Sequence, residues 1–127
     1  MTVCYLIQTY KNPEQIYRLV RLIKNTHSNS LIVVSHNFNS CNLNISLLKK
    51  LKNVEVIPNN GVMMGSFAIL QGFFDAVSWL INQEIKFDWL INLTGQDYPT
   101  QPLYKVEKFL ESTNYDGFLE YYDVYSK

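Results

Sequence analysis

The chain has 127 residues, 47% of them hydrophobic, with eleven basic and eleven acidic side chains and a sequence pI near 6.7. One domain typically needs about 100–200 residues, so positions 1–127 read as one folded unit, and general disorder is excluded by the apolar content. The cancelled charge leaves no net electrostatic footprint for duplex nucleic acid or an anionic membrane, and no nucleic-acid partner is expected.

Val3-Cys-Tyr-Leu-Ile7 is a continuous apolar run rich in β-formers, which suits a central strand buried on both faces. Asn12-Pro13-Glu14 then supplies a cap, a proline at the first helical position and an acid in the first turn. Ile16, Leu19, Val20 and Ile23 follow at helical spacing, predicting an amphipathic helix over 13–24 whose Arg18, Arg21 and Lys24 form a solvated face. Leu31-Ile-Val-Val-Ser35 reads as a second strand. After a polar loop, Ile45, Leu47, Leu48 and Leu51 mark a short helix with lysines 49, 50 and 52 at its C-terminal end, where cations suit the dipole.

Val54-Glu-Val-Ile57 is a third short strand, closed by Pro58 and the Asn59-Asn60-Gly61 turn signal. The longest apolar helical pattern covers about 65–84, with Phe67, Leu70, Phe74, Val77 and Ile81 expected against the sheet. Trp89-Leu-Ile-Asn-Leu93 is a fourth strand, and Pro102 opens a helix carrying Leu103, Val106, Phe109 and Leu110. Gly117-Phe-Leu-Glu120 reads as a fifth strand, with no helix predicted after it. Alternating strands and helices argue for an α/β fold: a Rossmann-like, open, mostly parallel sheet with helices on both faces, incomplete at its C-terminus.

Cys4 and Cys41 form no disulfide framework and sit in no metal-ligand spacing, so a reducing compartment is expected. His27 and His36 have no partner at zinc-ligand spacing. The first nine residues lack the basic region of a secretory signal, and no apolar run reaches the ~18–20 residues of a membrane span. The chain is therefore expected to be soluble and cytoplasmic, and the sequons at Asn44 and Asn92 are taken as chance.

In open α/β sheets ligands bind beyond the carboxyl ends of the strands, which selects the loops near Gln8–Asn12, Ser35–Asn39, Asn60–Ser66 and Thr94–Thr100. Thr9-Tyr-Lys-Asn-Pro13 has no glycine, which argues against a Rossmann dinucleotide site and a P-loop. The densest chemistry is Gly95-Gln-Asp-Tyr-Pro99. It reads either as a ligand loop or as a turn in which Asp97 bonds backbone amides. Asp97 stands alone, without the Asp-x-Asp pair of metal-dependent sugar transferases, so no metal or other cofactor is expected.

Three stretches carry a resemblance: Tyr5 to Ile23 (YLIQTYKNPEQIYRLVRLI), Val62 to Leu70 (VMMGSFAIL) and Phe87 to Pro99 (FDWLINLTGQDYP). Together they resemble the Core-2/I-branching family, the β-1,6-N-acetylglucosaminyltransferases and peptide O-xylosyltransferases of glycosyltransferase family 14. The resemblance implies a GT-A-like fold of which this chain is the nucleotide-sugar-binding half. It also implies inverting, metal-independent transfer from a UDP-sugar such as UDP-GlcNAc or UDP-xylose to a hydroxyl of a glycan or protein acceptor. The family's catalytic base and diphosphate-binding basic pair would fall beyond Lys127, so no catalytic residue is assigned and a complementing C-terminal half is an expected partner. Family members in animals are Golgi-membrane-anchored.

The donor-binding residues implied are Gln8, Thr9, Tyr10, Asn37, Val62, Met63, Met64, Gln96 and Asp97. Ser35-His36-Asn37 stands where the family has His-Val-Asp, Met64-Gly65-Ser66 where it has Trp-Gly-Gly, and Tyr10 where it has His. These departures leave a second reading open, a non-catalytic remnant or partner-dependent sugar-nucleotide-binding module.

Overall fold

The computed structural model describes residues 1–26, 29–59 and 67–119. Among the described residues, four strands, β1 (Val3–Thr9), β2 (Leu31–His36), β3 (Val54–Pro58) and β4 (Trp89–Thr94), alternate with four helices, α1 (Pro13–Thr26), α2 (Ile45–Lys49), α3 (Phe67–Asn82) and α4 (Leu103–Ser112). The strands lie in the order β3-β2-β1-β4, every neighbouring pair parallel. This is the open, parallel α/β sheet expected from the alternation of elements.

β1 lies inside the sheet, which explains its unbroken apolar run: alternate residues serve two cores. Val3, Tyr5 and Ile7 pack with α1, with Leu48 of α2 and with Leu103 of α4. Cys4 and Leu6 face Ala76 and Leu80 of α3 on the other side. The helical stripe Ile16, Leu19, Val20 and Ile23 is buried as its spacing predicts, each side chain contributing about 1.5–3 kcal/mol of apolar transfer. Burial alone pushes the Cys4 thiol up to about 12. The Tyr5 hydroxyl is buried without a hydrogen bond of normal geometry. Burial, and then the Glu107 carboxylate on α4, drives its pKa far above the ordinary phenol.

Three sequence expectations need correction. The face of α3 that meets the sheet carries Ala76 and Leu80 with Phe73 and Trp79, while Leu70, Phe74 and Ile81 are exposed and Val77 is half-buried. The polar residues Gln71, Asp75, Ser78 and Asn82 recur at i, i+4, i+7 and i+11 and mark the outward side; Leu70, Phe74 and Ile81 flank that stripe, and Phe73, Ala76 and Leu80 lie opposite it. A β-carbon at Gly72 would stand 2.8 Å from the Asn59 side-chain amide nitrogen, so the glycine leaves room for that side chain.

Gly117 to Leu119 belong to no strand. Phe118 instead stacks on Trp89 and touches Phe109 and Tyr115, an aromatic cluster that competes with extended pairing. Asn12 starts α1 through its main chain, not through a side-chain cap. At φ 54° its carbonyl accepts from the Gln15 and Ile16 amides, and its side chain is turned elsewhere.

Candidate functional site

β1, β2 and β4 all end at the same edge of the sheet, and main-chain hydrogen bonds bind their outgoing loops together. Asn37 N–H donates to the Thr9 carbonyl at 3.0 Å, and Gly95 N–H donates to the Gln8 carbonyl at 3.0 Å. The Asn12 side-chain amide donates to Gln96 Oε1 at 3.2 Å, closing the rim between the first and fourth strand exits. Three of the four predicted loop regions thus converge. Val62, Met63 and Met64 lie outside the described residues.

Gly95 is there because of proximity. A β-carbon at this position would come 2.9 Å from Thr9 Cγ2 and 3.3 Å from Ile16 Cγ1. Beyond it, Thr94 N–H donates to Asp97 Oδ2 at 2.8 Å, Asp97 N–H returns to the Thr94 carbonyl at 3.1 Å, and Gln96 N–H reaches Thr94 Oγ1 at 3.3 Å. One Asp97 oxygen therefore shapes its own turn, as the structural reading of this motif anticipated. Gln96, Asp97 and Tyr98 are exposed on the rim.

Asn37 is buried, and its Oδ1 accepts from the Asn39 amide at 3.0 Å, which folds the β2–α2 loop back on itself. Thr9 is buried as well, with its carbonyl held by Asn37 and its hydroxyl by His36. Thr9 thus acts within the fold as a tie. Tyr10 is half-buried and lies under the Lys11 ammonium, 5.2 Å from the ring centroid, while Gln8 is half-buried beside it.

His36 was not among the expected site residues, yet it sits at the centre of this edge, completely buried. Its Nε2 lies 2.9 Å from the Cys41 carbonyl, which can only accept, so Nε2 carries the proton. Nδ1 of the neutral ring is then an acceptor, and the Thr9 hydroxyl donates to it at 2.6 Å. Phe38 packs edge-on against the imidazole, ring centroids 4.8 Å apart. One side chain therefore ties the end of β1 to the far end of the loop carrying Asn37. In the sequence His36 is only the last residue of a strand, after Ser35, and its partners Thr9 and Cys41 are brought to it by the fold.

Among the described residues, no three His, Cys, Asp or Glu side chains are grouped to hold a metal ion. No described helix is long and apolar enough to cross a membrane.

Residues 3–124 match the sequence profile of the Core-2/I-branching enzymes. This chain belongs to that family. Among curated proteins it is similar to beta-1,3-galactosyl-O-glycosyl-glycoprotein beta-1,6-N-acetylglucosaminyltransferase 4 of Danio rerio, 24% identical over 129 residues covering 93% of this chain and 28% of the relative. It is equally similar to the protein of the same name from Mus musculus, at 24% identity over 93% of this chain and 27% of that one. The chain spans a little over a quarter of the length of these relatives. No solved structure matches it.

Proposed function

We propose that this chain is the nucleotide-binding portion of a Core-2/I-branching glycosyltransferase, holding the donor of a sugar transfer to an acceptor hydroxyl. The observation that carries this reading is the family match across residues 3–124, with the exits of β1, β2 and β4 bonded into one rim at the carboxyl edge. A UDP-sugar is the donor proposed, and the names of the relatives favour N-acetylglucosamine over xylose as its sugar. Inverting, cation-independent transfer is proposed from the family resemblance. The lone Asp97, one oxygen of which accepts from the Thr94 amide, lacks the Asp-x-Asp partner of a metal-dependent transferase and is consistent with it.

Uracil and ribose need an apolar wall and a few fixed polar groups. Val62, Met63 and Met64 are proposed as the wall, with Asn37, Gln8 and the main chain at Thr9 and Tyr10 toward the nucleoside. Gln96 and Asp97 face the sugar. Binding is tested by thermal unfolding with UDP, UDP-GlcNAc and UDP-xylose in the presence of a chelator. Saturable stabilisation supports the reading; none at millimolar ligand defeats it.

A second reading, a sugar-nucleotide module that works only with a complementing polypeptide, is favoured by one observation. Leu70, Phe74 and Ile81 leave an apolar face of α3 uncovered. Sedimentation as a monomer whose stability does not depend on concentration would count against it.

A further inference from the structure

The neutral total conceals a separation of charge along the chain. From Gln15 to Val54 there are six basic side chains, Arg18, Arg21, Lys24, Lys49, Lys50 and Lys52, and not one Asp or Glu. From Glu55 to Lys127 the balance reverses, with ten acids against four lysines.

The fold gathers the basic half onto one surface. Arg18, Arg21 and Lys24 recur at intervals of three and share a stripe of α1. Arg21 and Tyr17 line a shallow cleft together with Leu47, Leu48 and Leu51, so the stripe abuts α2 and the turn after it. Lys49, Lys50 and Lys52 are exposed there. Lys24 is half-buried and donates to the Ser30 carbonyl, and its pKa is lowered first by burial and then by the nearby Lys52 charge. Among these cations stand two uncovered aliphatic residues, Ile45 at 38% and Leu47 at 47% exposure. Lys24 near the end of α1 and Lys52 before β3 both lie toward the amino ends of the strands, away from the Thr9–Asn37–Gln96 rim.

We propose that this α1–α2 face docks on an anionic phospholipid surface. Clustered basic residues draw a protein to anionic headgroups, and neighbouring aliphatic side chains add area at the headgroup–acyl boundary. Both ingredients occur together here. A soluble polyanion would use the charges and leave Ile45 and Leu47 in water. Four of the six cations are lysines, compact point charges suited to a diffuse headgroup layer, whereas a specific acidic peptide favours the planar fork of arginine. In this orientation the carboxyl-edge rim remains open to solution. The inference does not depend on the donor-site reading.

Vesicle co-sedimentation of the 127-residue chain tests it, using phosphatidylcholine with and without phosphatidylserine at low and physiological salt. The chain should pellet only with the anionic vesicles, less as salt rises. Replacing Lys49, Lys50 and Lys52 by Gln should weaken partitioning roughly a hundredfold, and Leu47→Ser should weaken it several-fold while leaving the salt dependence in place. All four positions are exposed, and circular dichroism verifies that the variants fold. Failure to bind phosphatidylserine vesicles overturns the proposal, as does equal binding to neutral ones or indifference to the lysine substitutions. Binding to heparin without vesicle binding would assign the face to a soluble polyanion. A salt-dissociable dimer without vesicle binding would assign it to the acidic half of a second copy. Either result overturns the lipid assignment.

Discussion

His36→Leu puts an apolar side chain of similar volume in place of one that makes two hydrogen bonds from a fully buried position. The Thr9 hydroxyl then loses its acceptor in a site only 4% exposed, and the Cys41 carbonyl loses its donor at a better hydrated one. A buried polar group left unpaired costs about 1–3 kcal/mol, with the carbonyl toward the low end, so the variant should lose about 2–4 kcal/mol. For a domain of this size, each kcal/mol lowers Tm by roughly 3–4 °C, which places the expected drop near 7–15 °C.

Urea denaturation followed by circular dichroism reads this directly. Thr9→Val provides the cycle: it should cost about 1–3 kcal/mol in the native background and much less in the His36→Leu background, because the hydroxyl has then already lost its partner. Cys41→Ser should change little, since the bond is to the main chain and the sulfur stands 3.7 Å from Nε2. A His36→Leu variant with native Tm, or strictly additive effects of the two substitutions, would refute the network as described.

Gly95→Ala should destabilise by about 1–3 kcal/mol, because the new methyl meets Thr9 Cγ2 at 2.9 Å; chemical denaturation measures it, and an unaffected midpoint would show that the rim yields freely. Native protein should be alkylated at the half-exposed Cys41 and not at buried Cys4, with both modified after unfolding; mass spectrometry of the labelled peptides decides. Burial raises Cys4 from 9.0 to about 12. Between those values the unfolded chain has released a proton that the native chain retains, so stability should be unaffected by Cys4 below pH 9 and fall above it by up to about 1.4 kcal/mol per pH unit. Cys4→Ala should reduce that slope, and an unchanged slope would contradict the assignment. Asn37→Asp keeps an acceptor for the Asn39 amide and adds a charged oxygen, so UDP affinity measured by calorimetry should rise about fivefold, near 1 kcal/mol. Unchanged or weaker affinity would remove Asn37 from the nucleoside site.

The sheet was legible because β1 and β2 are apolar on both faces, a pattern that amphipathic edge strands do not show. The family was legible in the strand leading to Gly95-Gln-Asp-Tyr-Pro99, where a fixed order of glycine, carboxylate and proline follows a β4-like run. Helical periodicity failed at α3 because the large apolar residues Leu70, Phe74 and Ile81 flank the outward polar stripe of Gln71, Asp75, Ser78 and Asn82, while the face opposite that stripe is built on Ala76 and Leu80. It failed at Phe118 because an aromatic cluster with Trp89 and Phe109 is a tertiary contact that no local pattern announces. Convergence of the rim was predictable from the carboxyl-edge rule, but the His36 tie was not. Its meaning comes from Thr9 and Cys41, which reach the imidazole only after the sheet has formed.

The central claim is that a nucleotide binds at the carboxyl edge of this sheet. Amide chemical shifts followed during a UDP titration test it most directly. Saturable shifts should centre on Thr9, Tyr10, Asn37 and Gln96 and leave Lys52, next to Asn53 at the amino end of β2, unmoved. No shift at millimolar UDP, or shifts confined to the basic face of α1 and α2, would contradict it.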